Sequence, residues 1–305
     1  MRALAAFMVL LAWQAAALAQ PPYYLPSNPY YAQPAAVQSG ISHFGWQPNG
    51  WRVSESKHFI VCHRDDAVAE RVMRIAEKTR TKMIDKWFDD GPVVGWPGKC
   101  YIYVYGSADE YSWKTGTPAL SPGHTSAKWE PNDASRLTSI SVHVRIDYPS
   151  MFDAVLPHEV THAVLSGQFG TKPIPRWADE GMAVLSEPSV EIEKHKQRLQ
   201  RAYDDGKLYG SGDLMQMRDY PSGDEKRGIF YAQGVYLTKF LCERKGNVVF
   251  ANFLRTAQKK GWEEALKKHY AFDNFKSLDD AWHDWLGFKA KKDNSKTVSS
   301  PGGWI

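Results

Sequence analysis

The chain has 305 residues, 43% of them hydrophobic, with a formal charge of +4. Removing Arg2 with an N-terminal leader leaves +3 (4 − 1), too mild a balance to point to nucleic acid, so none is expected as a partner. Three cysteines (Cys62, Cys100, Cys242) allow at most one disulfide, and Cys62 and Cys100 are the pair most readily joined if one forms; three buried thiols fit the sequence equally well.

Met1-Arg2, an apolar run from Ala3 to Leu18 and small residues at Ala17-Leu18-Ala19 read as a secretory signal peptide over residues 1–19. Pro21-Pro22 ends the run abruptly, and no later stretch is long and apolar enough to span a bilayer. The expectation is an exported protein, periplasmic or extracellular, with no stable membrane insertion after cleavage. Residues 20–50 are rich in Pro, Tyr, Gln and Ser without a period, which reads as a disordered leader.

Residues 51–150 read as a β-rich lobe. Trp51–Val53, His58–Cys62 and Cys100–Tyr105 have strand composition. Between them, Val68, Val72, Ile75, Thr79, Met83 and Trp87 recur at helical steps, which predicts a helix from about Asp66 to Phe88. Ser107 can cap a short helix carrying Tyr111 and Trp113. Residues 115–135 read as loop with one strand near Ala127–Glu130. Leu137 to Ile146 alternates apolar and polar residues, as a half-exposed strand does. His124 and His143 are isolated, and ordinary surface or loop roles are expected for them.

Residues 151–290 read as helical. The central stretch is His158-Glu159-Val160-Thr161-His162. On a helix each residue advances about 100°, so His158 and His162 share a face and can aim one nitrogen each at a single metal ion. Glu159, beside them, is where a carboxylate can take a proton from metal-activated water. Trp177-Ala178-Asp179-Glu180-Gly181 follows a turn containing Gly170, Pro173 and Pro175, so a second helix can fold back and offer Glu180 as a third ligand. A charged helix over 190–205, a loop from Leu208 to Gly223 anchored by Leu214 and Met215, an apolar helix from Ile229 and three amphipathic helices complete the lobe. Residues 291–305 read as a flexible tail.

These two motifs resemble the gluzincin metallopeptidases, and Pro175-Arg176-Trp177-Ala178-Asp179-Glu180-Gly181 is most similar to the bacterial peptidase-MA-like proteins. Metzincins would need a third His at position 168, which is Gln168. The resemblance implies an α+β, zincin-like fold, an N-terminal mixed-sheet lobe and a mainly helical C-terminal lobe with the cleft between them. It implies one zinc ion on His158, His162 and Glu180, Glu159 as general base, and a peptide or protein substrate that pairs with a strand edge, either Leu137–Ile146 or the 125–130 segment. Tyr231 is the expected donor to the transition-state oxyanion, with Tyr236 the alternative. One departure is Val184, where thermolysin-like members have an Asp that orients a ligand histidine; Asp179 or a backbone carbonyl is expected to serve instead. No Gly-x-Met-x-Asn motif supports exopeptidase activity. Two other readings fit the sequence: a non-catalytic zinc-site peptide-binding or scaffold protein, and a zinc amidase acting on cell-wall peptides. Oligomeric state is not readable from it.

Overall fold

The computed structural model describes residues 42–44, 50–88, 95–130, 133–170 and 174–288. The segment read as a signal peptide, most of the Pro/Tyr-rich leader and the segment read as a tail lie outside the described residues.

Strands β1 (Ser42–Phe44), β2 (Arg52–Glu55), β3 (Phe59–His63), β4 (Cys100–Tyr105), β5 (Gly123–Glu130) and β6 (Asp133–Arg145) form one sheet in the order β1-β2-β3-β4-β6-β5. It is mixed: β3–β4 and β4–β6 are parallel, the other pairs antiparallel. Helix α1 (Asp66–Trp87) makes the crossover from β3 to β4. Asp65 caps it, accepting from the backbone N–H groups of Ala67 and Val68, and Asp66 supplies negative charge to its first turn. Its buried stripe runs through Val72, Thr79, Met83 and Trp87 as the period predicts, with Ala69, Met73 and Ala76 added and Val68 and Ile75 half-buried at its margin. Helix α2 (Ala108–Thr115), capped by Ser107, joins β4 to β5.

Alternation along the strands decides what each face carries. Ile102, Val104, Ile140, Val142 and Val144 are buried against the helices. Tyr101, Tyr103, Tyr105, Ser141 and His143 face the other side. The same alternation settles the thiols. Cys100 pairs in register with Phe59, whereas Cys62 pairs with Tyr103, so Cys62 and Cys100 point to opposite faces and cannot be joined. All three cysteines are free and buried, and burial pushes the Cys62 and Cys242 thiols up to about 12.

The sheet bears on three further expectations. The 115–135 loop holds a full strand, β5, because its residues pair with β6 from Gly123 to Glu130 through a bulge at Lys128–Glu130. Strand β6 lies between β4 and β5, paired with β5 along most of its length and with β4 from Ser141 to Arg145; β5 is the last strand of the sheet. His124 and His143 are not loop residues. They sit opposite each other in the β5–β6 register, with rings stacked 4.5 Å apart at 4°.

The second lobe begins with a π-helical turn, Met151–Val155, leading into α3 (Leu156–Phe169). Pro157 falls in the first helical turn, where its missing N–H costs little. Gly170 ends α3 at φ 47°. Then come α4 (Arg176–Val184), α5 (Ser189–Asp204), α6 (Ser211–Gln216), α7 (Asp224–Lys245), α8 (Asn247–Lys260), α9 (Trp262–Tyr270) and α10 (Phe275–Leu286). The stretch expected as loop around Leu214 folds into α6, which buries Leu214 and Met215. Helix α7 starts at Asp224, well before Ile229, so Tyr231 sits two turns inside it.

Helix α4 is seated by Trp177. Its fully buried ring packs on Phe250 and Trp262 at centroid distances of 6.0 Å, and Phe250 in turn meets Trp87 of α1. Two glycines let α4 lie on α7. A Cβ on Gly181 would come within 2.8 Å of the Gly234 carbonyl, and one on Gly234 within 2.6 Å of the Trp177 carbonyl. This contact sets Glu180 over Tyr231.

Candidate metal centre

Helix α3 presents His158 and His162 one turn apart, with their Nε2 atoms 3.0 Å from each other. Glu180 Oε2, from α4, lies 3.7 Å from His158 Nε2 and 3.8 Å from His162 Nε2. One donor atom from each of the three residues falls within 4.8 Å of the others. His158 and Glu180 are almost fully buried, and His162 is half-buried.

The donor set fits a divalent zinc-like ion. Two imidazoles and a carboxylate are a common catalytic zinc set. Glu180 Oε2 is buried with no hydrogen-bond partner among the described residues. A buried carboxylate oxygen without a donor is costly, and a cation is the partner its surroundings provide for.

The remaining atoms of these ligands are held by neighbours. His158 Nδ1 donates to Glu187 Oε1 at 2.6 Å, and His162 Nδ1 to Asp179 Oδ1 at 2.8 Å. Both imidazoles therefore turn Nε2 inward. Asp179 is the residue the sequence put forward for this task. Glu187 is not: it lies beyond α4, and only the fold of 185–188 brings it under His158. Lys86 of α1 donates to the Leu185 carbonyl at 2.8 Å, and Thr161 of α3 to Ser186 Oγ at 3.2 Å, fixing that segment. Arg176 stands 3.7 Å behind Asp179 Oδ2.

Glu180 Oε1 faces two tyrosines. The Tyr220 hydroxyl donates to it at 2.5 Å and the Tyr231 hydroxyl at 3.4 Å. Tyr220 comes from the segment between α6 and α7 and carries no sequence signal beyond being an aromatic next to Pro221. Tyr236, the alternative donor, is elsewhere: its hydroxyl reaches the Ile192 carbonyl at 3.4 Å.

Glu159, next to His158 on α3, is buried within electrostatic reach of both histidines and of Glu180. Thr125, on edge strand β5, places its hydroxyl 2.8 Å from Glu159 Oε2 and 2.8 Å from the Glu159 carbonyl. The link between β5 and the HExxH helix is thus a hydrogen bond to the acidic residue itself.

Electrostatics follow from burial and these partners. Burial favours the neutral form of Glu180, but His162 and His158 and the Tyr220 hydroxyl outweigh it and hold the carboxyl at about 2. Burial likewise opposes charge on His158, yet the Glu180 and Glu187 carboxylates raise it above the usual imidazole range. Burial raises Glu159, opposed by the two histidines and Thr125. Burial, then the Glu180 charge, pushes Tyr220 and Tyr231 well above the phenol range, so both remain O–H donors.

Within electrostatic reach of His158 and Glu180, His195 of α5 is buried, its Nδ1 without a hydrogen-bond partner among the described residues, and burial draws it down to about 4. Tyr111 donates to His124 Nδ1 at 2.7 Å and Tyr105 to His143 Nδ1 at 2.9 Å; burial holds both imidazoles neutral, His124 at about 4.

No curated protein matches the chain. Among solved structures it is similar to native yeast LTA4 hydrolase, at 16% identity and a TM-score of 0.41, over 81% of this chain and 39% of that one. The chain therefore spans well under half the length of that protein. The sequence profile of the peptidase MA superfamily matches residues 134–288, which is more than half of the chain and takes in nearly all of β6, the helices carrying His158, His162 and Glu180 and every helix after them. The chain belongs to the peptidase MA superfamily.

Proposed function

We propose that this protein is an exported zinc-dependent peptidase that hydrolyses peptide bonds, with one zinc ion on His158, His162 and Glu180. The observation that supports it most is the meeting of three metal donors, one of them a buried carboxylate oxygen without a protein partner, beside a glutamate held by the cleft's edge strand. A zinc ion there would polarise the scissile carbonyl and lower the pKa of a water molecule.

The chain's own residues supply the rest. Glu159 takes a proton from the attacking water. Thr125 engages its Oε2 and holds the carboxylate in place. As the C–N bond breaks, Glu159 delivers that proton to the leaving nitrogen, so the proton balance closes within the site. Tyr231, kept protonated by burial, is the donor proposed for the oxyanion; a single such donor is worth roughly 2.7–4 kcal/mol. The outer edge of β5 is the strand to which an extended peptide would add, gaining main-chain hydrogen bonds. Export rests on the residue pattern of 1–19. Among the described residues no helix is long and apolar enough to cross a membrane.

The test is metal analysis of the purified protein beside a broad quenched-peptide screen with wild type and Glu159→Gln. One zinc per chain in both, with cleavage only in the wild type, is the expected result. Zinc without cleavage by the wild type would move the assignment to a binding module or an amidase, and absence of metal would end the zinc reading.

A further inference from the structure

The two tyrosines at Glu180 are not equivalent. Tyr220 and Tyr231 stack with centroids 5.4 Å apart and planes 4° apart, and both hydroxyls point at the same oxygen, Oε1. Tyr220 is close, at 2.5 Å, a distance typical of a strong hydrogen bond to a carboxylate. Tyr231 is at 3.4 Å, the outer limit of one. Tyr220 is also gripped from other sides: Phe230 meets its ring edge-on at 5.7 Å, and the Arg176 guanidinium lies 5.6 Å from the ring centre. Meanwhile Oε2, the other carboxylate oxygen, has no hydrogen bond among the described residues and faces both imidazole Nε2 atoms.

A carboxylate can bind a metal through one oxygen or through both. With two imidazoles already present, a two-oxygen Glu180 would take the position that a catalytic site must leave open. We infer that Tyr220 is a positioning residue that ties down Glu180 Oε1, so that Glu180 meets the metal through Oε2 alone, while the Tyr231 hydroxyl, farther from Oε1, is left available to substrate. The inference rests on the metallopeptidase reading but assigns a separate task to a residue that reading does not need. It also explains why two tyrosines converge on one oxygen: one fixes the ligand, and the other can leave without releasing it.

The test uses cobalt(II) in place of zinc in the full chain, because the visible spectrum of cobalt reports coordination number and geometry. Tyr220→Phe keeps the ring, its stacking on Tyr231 and its contact with Phe230, and circular dichroism of the metal-free chain checks its fold. The expected result is a weaker, shifted visible band in Tyr220→Phe, as the freed Oε1 joins the ion. Tyr231→Phe should keep the wild-type spectrum. X-ray absorption at the zinc edge should count one additional oxygen in Tyr220→Phe. A Tyr220→Phe spectrum identical to wild type, or the same change in Tyr231→Phe, would overturn the inference and leave the metallopeptidase reading standing. A wild type that takes up neither zinc nor cobalt would overturn both.

Discussion

Glu187 accepts a hydrogen bond from His158 Nδ1 across 2.6 Å, although it lies outside both metal-facing motifs. It turns the buried imidazole so that Nε2 points at Glu180, and Asp179 does the same for His162. Partners of this kind are typically worth 10- to 100-fold in metal affinity. Glu187→Ala should therefore raise the zinc dissociation constant by about tenfold or more, read by competition with a chromophoric chelator. Asp179→Ala should act similarly. Unchanged affinity in both would mean that packing alone orients the rings.

Thr125 ties the edge strand to Glu159, the proposed general base. Thr125→Val keeps the shape and removes the hydroxyl that reaches Glu159 Oε2. Loss of a hydrogen bond to a buried charged group costs roughly 1–3 kcal/mol. Turnover should fall about tenfold or more while zinc content stays at wild type. A loss of zinc together with turnover would place Thr125 among the groups that build the metal site rather than the base.

Gly181 tests the α4–α7 contact. A methyl group there meets the Thr238 side chain and stands 2.8 Å from the Gly234 carbonyl, a backbone atom that cannot turn aside. Overpacking of this kind typically costs about 1–3 kcal/mol. Gly181→Ala should lower the unfolding midpoint and, by shifting Glu180, weaken zinc. A wild-type midpoint would show that the two helices can separate without penalty.

The stacked histidines predict a pH dependence of folding. His124 is held at about 4 by burial, below the ordinary imidazole value near 6.5. Its folded pKa is depressed, so between these values the unfolded chain binds a proton that the folded chain does not. Stability from this group is present above about pH 6.5 and is lost as pH falls toward 4. His124→Phe removes the proton site and leaves Tyr111 its 3.3 Å bond to Ser121. The variant should lose less stability than wild type between pH 7 and pH 4 in denaturant titrations. Parallel curves would refute the assignment.

Much of the candidate metal site could be read along the chain because its spacing is local. The i, i+4 spacing of His158 and His162 fixes their common face on any helix, and Trp177 and Gly181 flank Glu180 within one short motif. The strand alternation of Ile140, Val142 and Val144 and the helical period of α1 are likewise local patterns, and each reappears as a buried stripe. What tertiary structure alone decided involves residues that meet only when separate segments pack. Glu187 reaches His158 because the 185–188 turn is fixed by Lys86 of α1. Thr125 meets Glu159 because β5 pairs outside β6. Tyr220 meets Glu180 because its ring packs on Phe230 and Tyr231 of α7. None of these pairings has a spacing or period, so no pattern in the chain announces them: sequence determined which groups can do the chemistry, and long-range packing determined which oxygen, nitrogen and hydroxyl each of them faces.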